Sequence, residues 1–187
     1  HGEMLGDHTV LGKESPFQGA VGVPLVCMGP GVQKGLVGDA PDSIPDLGAT
    51  FMHYGHAEHA KEMTTMSLHD VLQGDAQVPR RQYVLSGFGY FRTVTHATKK
   101  QDGSLKAIYK LMCCKNRCHR PYQTLHWRRP TLPSPADPPN VHLFDLLTDP
   151  HELHDLSHDL ALEDVVQSLA AYIRKETNWE CFKPIST

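Results

Sequence analysis

Apolar and polar positions change their spacing near residue 80, and the change divides the chain in two. Before it, short apolar runs alternate with glycine- and proline-rich turns. Val23-Pro24-Leu25-Val26-Cys27-Met28 is almost continuously apolar, which predicts a buried strand with Cys27 as a small core residue. Gly29-Pro30-Gly31 then breaks the chain. A helix is predicted to start around Pro45, with Leu47, Phe51 and Tyr54 on one face and Gly55 at its stop. Ser67 is the predicted N-cap of a short helix that turns Leu68, Val71 and Leu72 inward and ends at Gly74.

After residue 82 the pattern is that of strands. Segments 82–88, 90–96 and 105–112 are rich in β-branched and aromatic residues, and Asp102-Gly103 is a hairpin signal between the last two. A further strand is predicted at 141–146. The last element is an amphipathic helix over 162–178, with Leu162, Val165, Val166, Leu169 and Ile173 at i, i+3, i+4 spacing. Glu163 and Asp164 lie at its start and Arg174 and Lys175 near its end, as the helix dipole favours. Residues 113–140 are irregular, and Pro130, Pro133, Pro135, Pro138 and Pro139 predict an exposed loop or extended linker.

A chain of 187 residues is long enough to bury a real core. No apolar run approaches the roughly 20 residues a membrane span needs. The first residue is His1 rather than Met, so the chain is expected to be a fragment or a processed product, and its compartment cannot be read.

Charge is unevenly spread. Of the 18 Lys and Arg, 12 lie between Arg80 and Arg129, where Asp102 is the one acid. Such a segment invites a polyanion-binding reading; its ordinary meaning is a solvated surface. Its aromatic residues, Tyr83, Phe88, Tyr90, Phe91, Tyr109, Tyr122 and Trp127, fit strand packing better than base stacking, so no nucleic acid partner is expected. Cys113-Cys114-x-x-x-Cys118-His119 offers zinc donors without the second half of a finger, so a disulfide-bonded or reactive loop is favoured. His53, His56 and His59, and His151, His154 and His158, read as surface histidines.

The candidate chemistry lies in the first 19 residues. His1, Glu3, Asp7 and His8 can bind a cation, accept hydrogen bonds or move protons. Lys13, beside Gly12, is a point charge that can reach an anionic oxygen.

These residues carry a family resemblance. His1-Gly2-Glu3-Met4-Leu5-Gly6-Asp7-His8, then Gly12-Lys13, Pro16-Phe17-Gln18-Gly19 and Val23-Pro24-Leu25 resemble the sulfatase family of the alkaline phosphatase superfamily. Three later segments are similar to family motifs in the same order. The first is Asp39, Pro41, Ser43, Asp46, Leu47 and Thr50; the second is Ser67-Leu68, Leu72 and Gly74. The third is Leu143-Phe144-Asp145-Leu146 with Asp149-Pro150, Glu152, Asp155 and Leu156.

The resemblance implies an α/β, alkaline-phosphatase-like sulfatase fold. Residues 1–78 would be the C-terminal part of the catalytic domain, and 79–187 a small antiparallel-sheet and helix subdomain. It implies a divalent cation, usually calcium, with His1 as one ligand. Lys13 would hold the sulfate and stabilise charge as the ester breaks. His8 is a candidate substrate-binding residue, with a bracing role as its alternative. Gln18 and Gly22 depart from the family, which usually has Glu and Arg there as a brace for the lysine loop.

The Cys/Ser-x-Pro-x-Arg motif, whose first residue becomes the formylglycine nucleophile, does not occur in these 187 residues and is expected upstream. The parent is therefore expected to be a sulfuric ester hydrolase acting on a sulfated small molecule or glycan, and this chain alone to be inactive. A phosphonate or phosphodiester hydrolase of the same superfamily, or a degenerate anion-binding homologue, are the alternatives.

Overall fold

A computed structural model describes residues 1–38, 41–59, 61–75, 78, 80–114 and 140–181. Asp39, the Cys118-His119 pair and the proline-rich stretch 128–139 lie outside the described residues. The chain forms two compact units, one of residues 1–23 with 85–187 and the other of residues 24–84. The expected boundary at 78/79 follows sequence texture, whereas the compact units divide differently. The reason is packing: Met4, Val10, Phe17 and Ala20 are buried in one cluster with Met112 and Phe144.

The first unit is built on an antiparallel sheet in the order β1-β2-β3-β4, comprising β1 (Tyr83–Phe88), β2 (Phe91–Lys99), β3 (Leu105–Cys114) and β4 (Asn140–Asp145). The hairpin joining β2 to β3 turns where predicted. Gly103 has φ 83°, the Asp102 carboxylate accepts from the Ser104 N–H at 2.9 Å, and Lys100 N–H donates to Ser104 O at 2.8 Å. Successive β3 side chains face opposite sides, yet all five from Lys110 to Cys114 are buried, because both faces are covered. Met112 meets the N-terminal cluster on one face. On the other, Cys113 is disulfide-bonded to Cys181, beyond the end of the last helix.

That helix, α4 (Glu163–Thr177), packs on β2 and β3. Val166, Leu169, Ala170 and Ile173 form its buried face, and Asn178 in the left-handed conformation ends it. The N-terminal residues reach the opposite face through a short helix, α1 (Gln18–Val21). Gly2 N–H donates to Ala20 O at 2.9 Å, and a Cβ at Gly2 would collide with the Gly19 carbonyl.

The second unit holds α2 (Ile44–Tyr54) and α3 (His69–Leu72). Helix α2 starts as expected, with a capping box between Ser43 and Asp46 and Pro45 in the first turn. Its buried face is not the predicted one. Phe51 and Tyr54 are exposed, while Asp46, Ala49 and Thr50 are buried.

A polar network sets that orientation. The Asp46 carboxylate accepts from Ser43 N–H at 3.0 Å, Met66 N–H at 2.9 Å and Arg81 Nη2 at 2.5 Å. The Thr50 hydroxyl donates to Asp46 O at 2.7 Å and accepts from Leu68 N–H at 2.8 Å. Burial works to raise the Asp46 carboxyl, but these hydrogen bonds and the Arg81 charge outweigh it and hold it below the ordinary value.

The predicted strand at 23–28 is also corrected. These residues join no strand; Val26 and Met28 are 88% and 92% exposed, and Cys27 is partly exposed with a free thiol. An apolar run is buried as a strand only where a neighbouring strand or layer covers it, and among the described residues nothing does so.

Candidate functional site

The late acidic motif of the sequence is a fastening device. Asp145 accepts from Ile108 N–H at 3.0 Å and Leu147 N–H at 3.1 Å, tying the end of β4 to β3. Asp155 accepts from Leu143 N–H at 3.1 Å, Ser157 N–H at 2.9 Å and His142 Nδ1 at 2.6 Å. Burial works against the Asp155 charge, yet the bonds from His142, Ser157 and Leu143 keep its carboxyl well below the usual carboxylate range. With its ends pinned, the turn between Asp149 and Asp155 presents Glu152 inward.

Glu152 is buried and has φ 55°, a left-handed conformation that costs a non-glycine residue roughly 1–2 kcal/mol. Its Oε1 accepts from Lys110 Nζ at 2.7 Å, and its Oε2 accepts from the Gln18 N–H at 2.5 Å. Lys110 is fully buried on β3 and also donates to Gln18 Oε1 at 3.3 Å. Burial pushes the Lys110 ammonium down to about 8, against the Glu152 charge and hydrogen bond that work to hold it up. Sequence reading did not single out Lys110. A lysine within the largely apolar stretch Ala107–Cys114 was the signal available.

This constellation grips the segment that carries Lys13. At the near end His8 stacks on Phe17, ring centroids 3.7 Å apart, and its Nε2–H donates to His151 O at 2.8 Å. In the middle the Tyr90 hydroxyl donates to Glu14 O. At the far end Gln18 meets Glu152 and Lys110. Gln18, one of the two departures from the family pattern, therefore works here through its backbone N–H and amide oxygen. Gly22, the other, leaves room for it, since a Cβ there would stand 2.5 Å from Gln18 Nε2.

The segment is also strained. Leu5, His8 and Thr9 all have φ between 52° and 62°. Lys13 is exposed, and among the described residues no acceptor engages its ammonium.

His1 is exposed, with Nδ1 2.9 Å from Gly2 O. Among the described residues no three His, Cys, Asp or Glu side chains converge to hold a metal ion. Calcium takes six to eight oxygen ligands, so a single imidazole does not make its site. The residues present do not by themselves fit the expected cation.

Among the described residues of the basic segment, four cations are internally engaged. Arg80 pairs with Asp42 at 2.9 Å, Arg81 with Asp46, and the Arg92 guanidinium lies 4.3 Å over the Trp179 ring. With Lys110 buried, these four cations do not form a free polyanion-binding face. Cys113 is in a disulfide and Cys114 is disulfide-bonded too, so neither is a zinc ligand.

The fold is the alkaline-phosphatase-like fold of sulfatases of solved structure, and in sequence the chain is similar to arylsulfatases. Over 185 residues, 96% of the chain, it is 28% identical to arylsulfatase K of Gallus gallus, and it spans 30% of that protein's length. A 77-residue stretch, 39% of this chain and 16% of the relative, is 30% identical to an arylsulfatase of Clostridium perfringens. In three dimensions the chain superposes with a TM-score of 0.58 on a crystal structure of a Bacteroides thetaiotaomicron protein assigned to the sulfatases. Identity there is 18%, covering 95% of this chain and 35% of that one. No family model matches.

Proposed function

We propose that these residues form part of a metal-dependent sulfuric ester hydrolase, and that Lys13 contacts the sulfate oxygens of its substrate. One observation carries the reading. A lysine with no acceptor among the described residues stands exposed on a loop held at His8, Glu14 and Gln18, in a chain that resembles arylsulfatases along nearly its whole length. An ammonium carried on a held loop needs less reorganisation when negative charge builds on the leaving oxygen, which is how placed charges lower a barrier. The substrate class is a sulfate ester of a small molecule or glycan. The nucleophile and the cation belong to residues other than those described; His1 would contribute one ligand at most.

The test is hydrolysis of 4-nitrophenyl sulfate by residues 1–187, and by the same residues joined to an upstream sulfatase segment carrying Cys/Ser-x-Pro-x-Arg. The expected result is no turnover by the chain alone and turnover by the joined protein. Lys13→Ala should lower turnover by about a hundredfold, the scale of losing one oxyanion donor. Turnover of phosphonate or phosphodiester esters in place of sulfate would replace this reading with the related hydrolase class. Sulfate binding without turnover of any ester would make the protein a non-catalytic homologue.

A further inference from the structure

The buried Lys110–Glu152 pair has no evident purpose in stability. Buried ion pairs are often matched or bettered by apolar residues of similar volume, and Glu152 carries the additional cost of its left-handed backbone. Both costs fall on one residue, and each of its carboxylate oxygens is committed: Oε1 to Lys110 and Oε2 to the Gln18 N–H. The turn that carries it takes hold of the Lys13 loop a second time, through His151 O and His8. The two grips fall five residues before Lys13 and five after it.

We infer that Lys110 and Glu152 are positioning residues for Lys13: a charge bolt, anchored in the sheet, that fixes the anion-binding loop from its buried side. Their role rests on the reading of Lys13 as a sulfate contact. Lys110 and Glu152 touch no substrate themselves. Gln18 transmits their hold, because it accepts from Lys110 through Oε1 and donates to Glu152 through its N–H. Removing one charge would strand the other in the interior, so the informative change removes both.

Inorganic sulfate is the probe, titrated into the 187-residue chain and followed by the chemical shifts of the Lys13 side chain. Order of residues 12–17 is measured alongside by backbone relaxation and amide exchange. In Lys110→Met/Glu152→Gln the loop should loosen while β2 and β3 amides keep their protection. Sulfate affinity should fall about threefold or more, the usual scale of coupling through a positioning network. In a Lys13→Ala background the same double change should leave residual sulfate affinity unaltered, which a general loss of structure would not do. Gln18→Met, at a half-buried position, carries the same comparison with less risk to folding and should show the same pattern, reduced.

A loop as ordered in these variants as in the parent would overturn the inference, as would unchanged sulfate affinity. If Lys13→Ala binds sulfate as the parent does, the reading of Lys13 fails. The loop measurement then still decides whether the bolt holds the loop.

Discussion

Replacing Asp46 by Asn tests whether a polar network orients α2. The carboxylate is 1% exposed and accepts from Ser43 N–H, Met66 N–H and two Arg81 nitrogens. An amide keeps one acceptor oxygen and places an NH2 donor against groups that can only donate. It also removes the negative charge that faces the Arg81 guanidinium. Loss of several charge-assisted hydrogen bonds to a buried carboxylate costs about 3 kcal/mol.

Native-state exchange of the Met66 and Leu68 amides reads it directly, and a loss of about 3 kcal/mol there is roughly a hundredfold drop in protection. The pH dependence has a defined sign. Because the folded carboxyl lies below its unfolded value of 3.8, its contribution is complete above that value and is lost as pH falls through the folded one. Parent and Asp46→Asn should therefore converge in acid. Equal protection at pH 7, or a gap that stays constant into acid, would refute the network's role.

Two further outcomes follow from the packing. Replacing Cys113 and Cys181 by Ser opens a cross-link between residues 68 apart, which by chain entropy should lower stability by about 4 kcal/mol in urea denaturation followed by circular dichroism. A loss under about 1 kcal/mol would show that the cross-link matters little to this fold. The exposed apolar run makes the opposite forecast. Val26→Asp with Met28→Asp should change the stability of the isolated chain by no more than about 0.5 kcal/mol, and a loss of several kcal/mol would mean that the run is buried after all.

Local pattern alone placed the β2–β3 hairpin at Asp102-Gly103, the start of α2 at Pro45 and the amphipathic face of α4, because each depends on contacts a few residues apart. The ordered motifs likewise carry the resemblance to sulfatases, because each is contiguous in sequence. What failed locally was the sign of burial. Phe51 and Tyr54 face out and Asp46 faces in, because the Arg81 guanidinium and the Met66 amide, 35 and 20 residues away, decide which side of the helix has partners.

The Val23–Met28 run is apolar enough to be a strand, but burial is a property of what covers it. Lys13 was legible as a candidate because its neighbours are contiguous in sequence. The bolt behind it was not, since Gln18, Lys110 and Glu152 come from three distant segments, and a buried lysine looks like any other until its carboxylate is found. Short-range chemistry thus determined the elements and the exposed charge. Long-range pairing of buried polar groups decided which faces turn inward and what holds the loop in place.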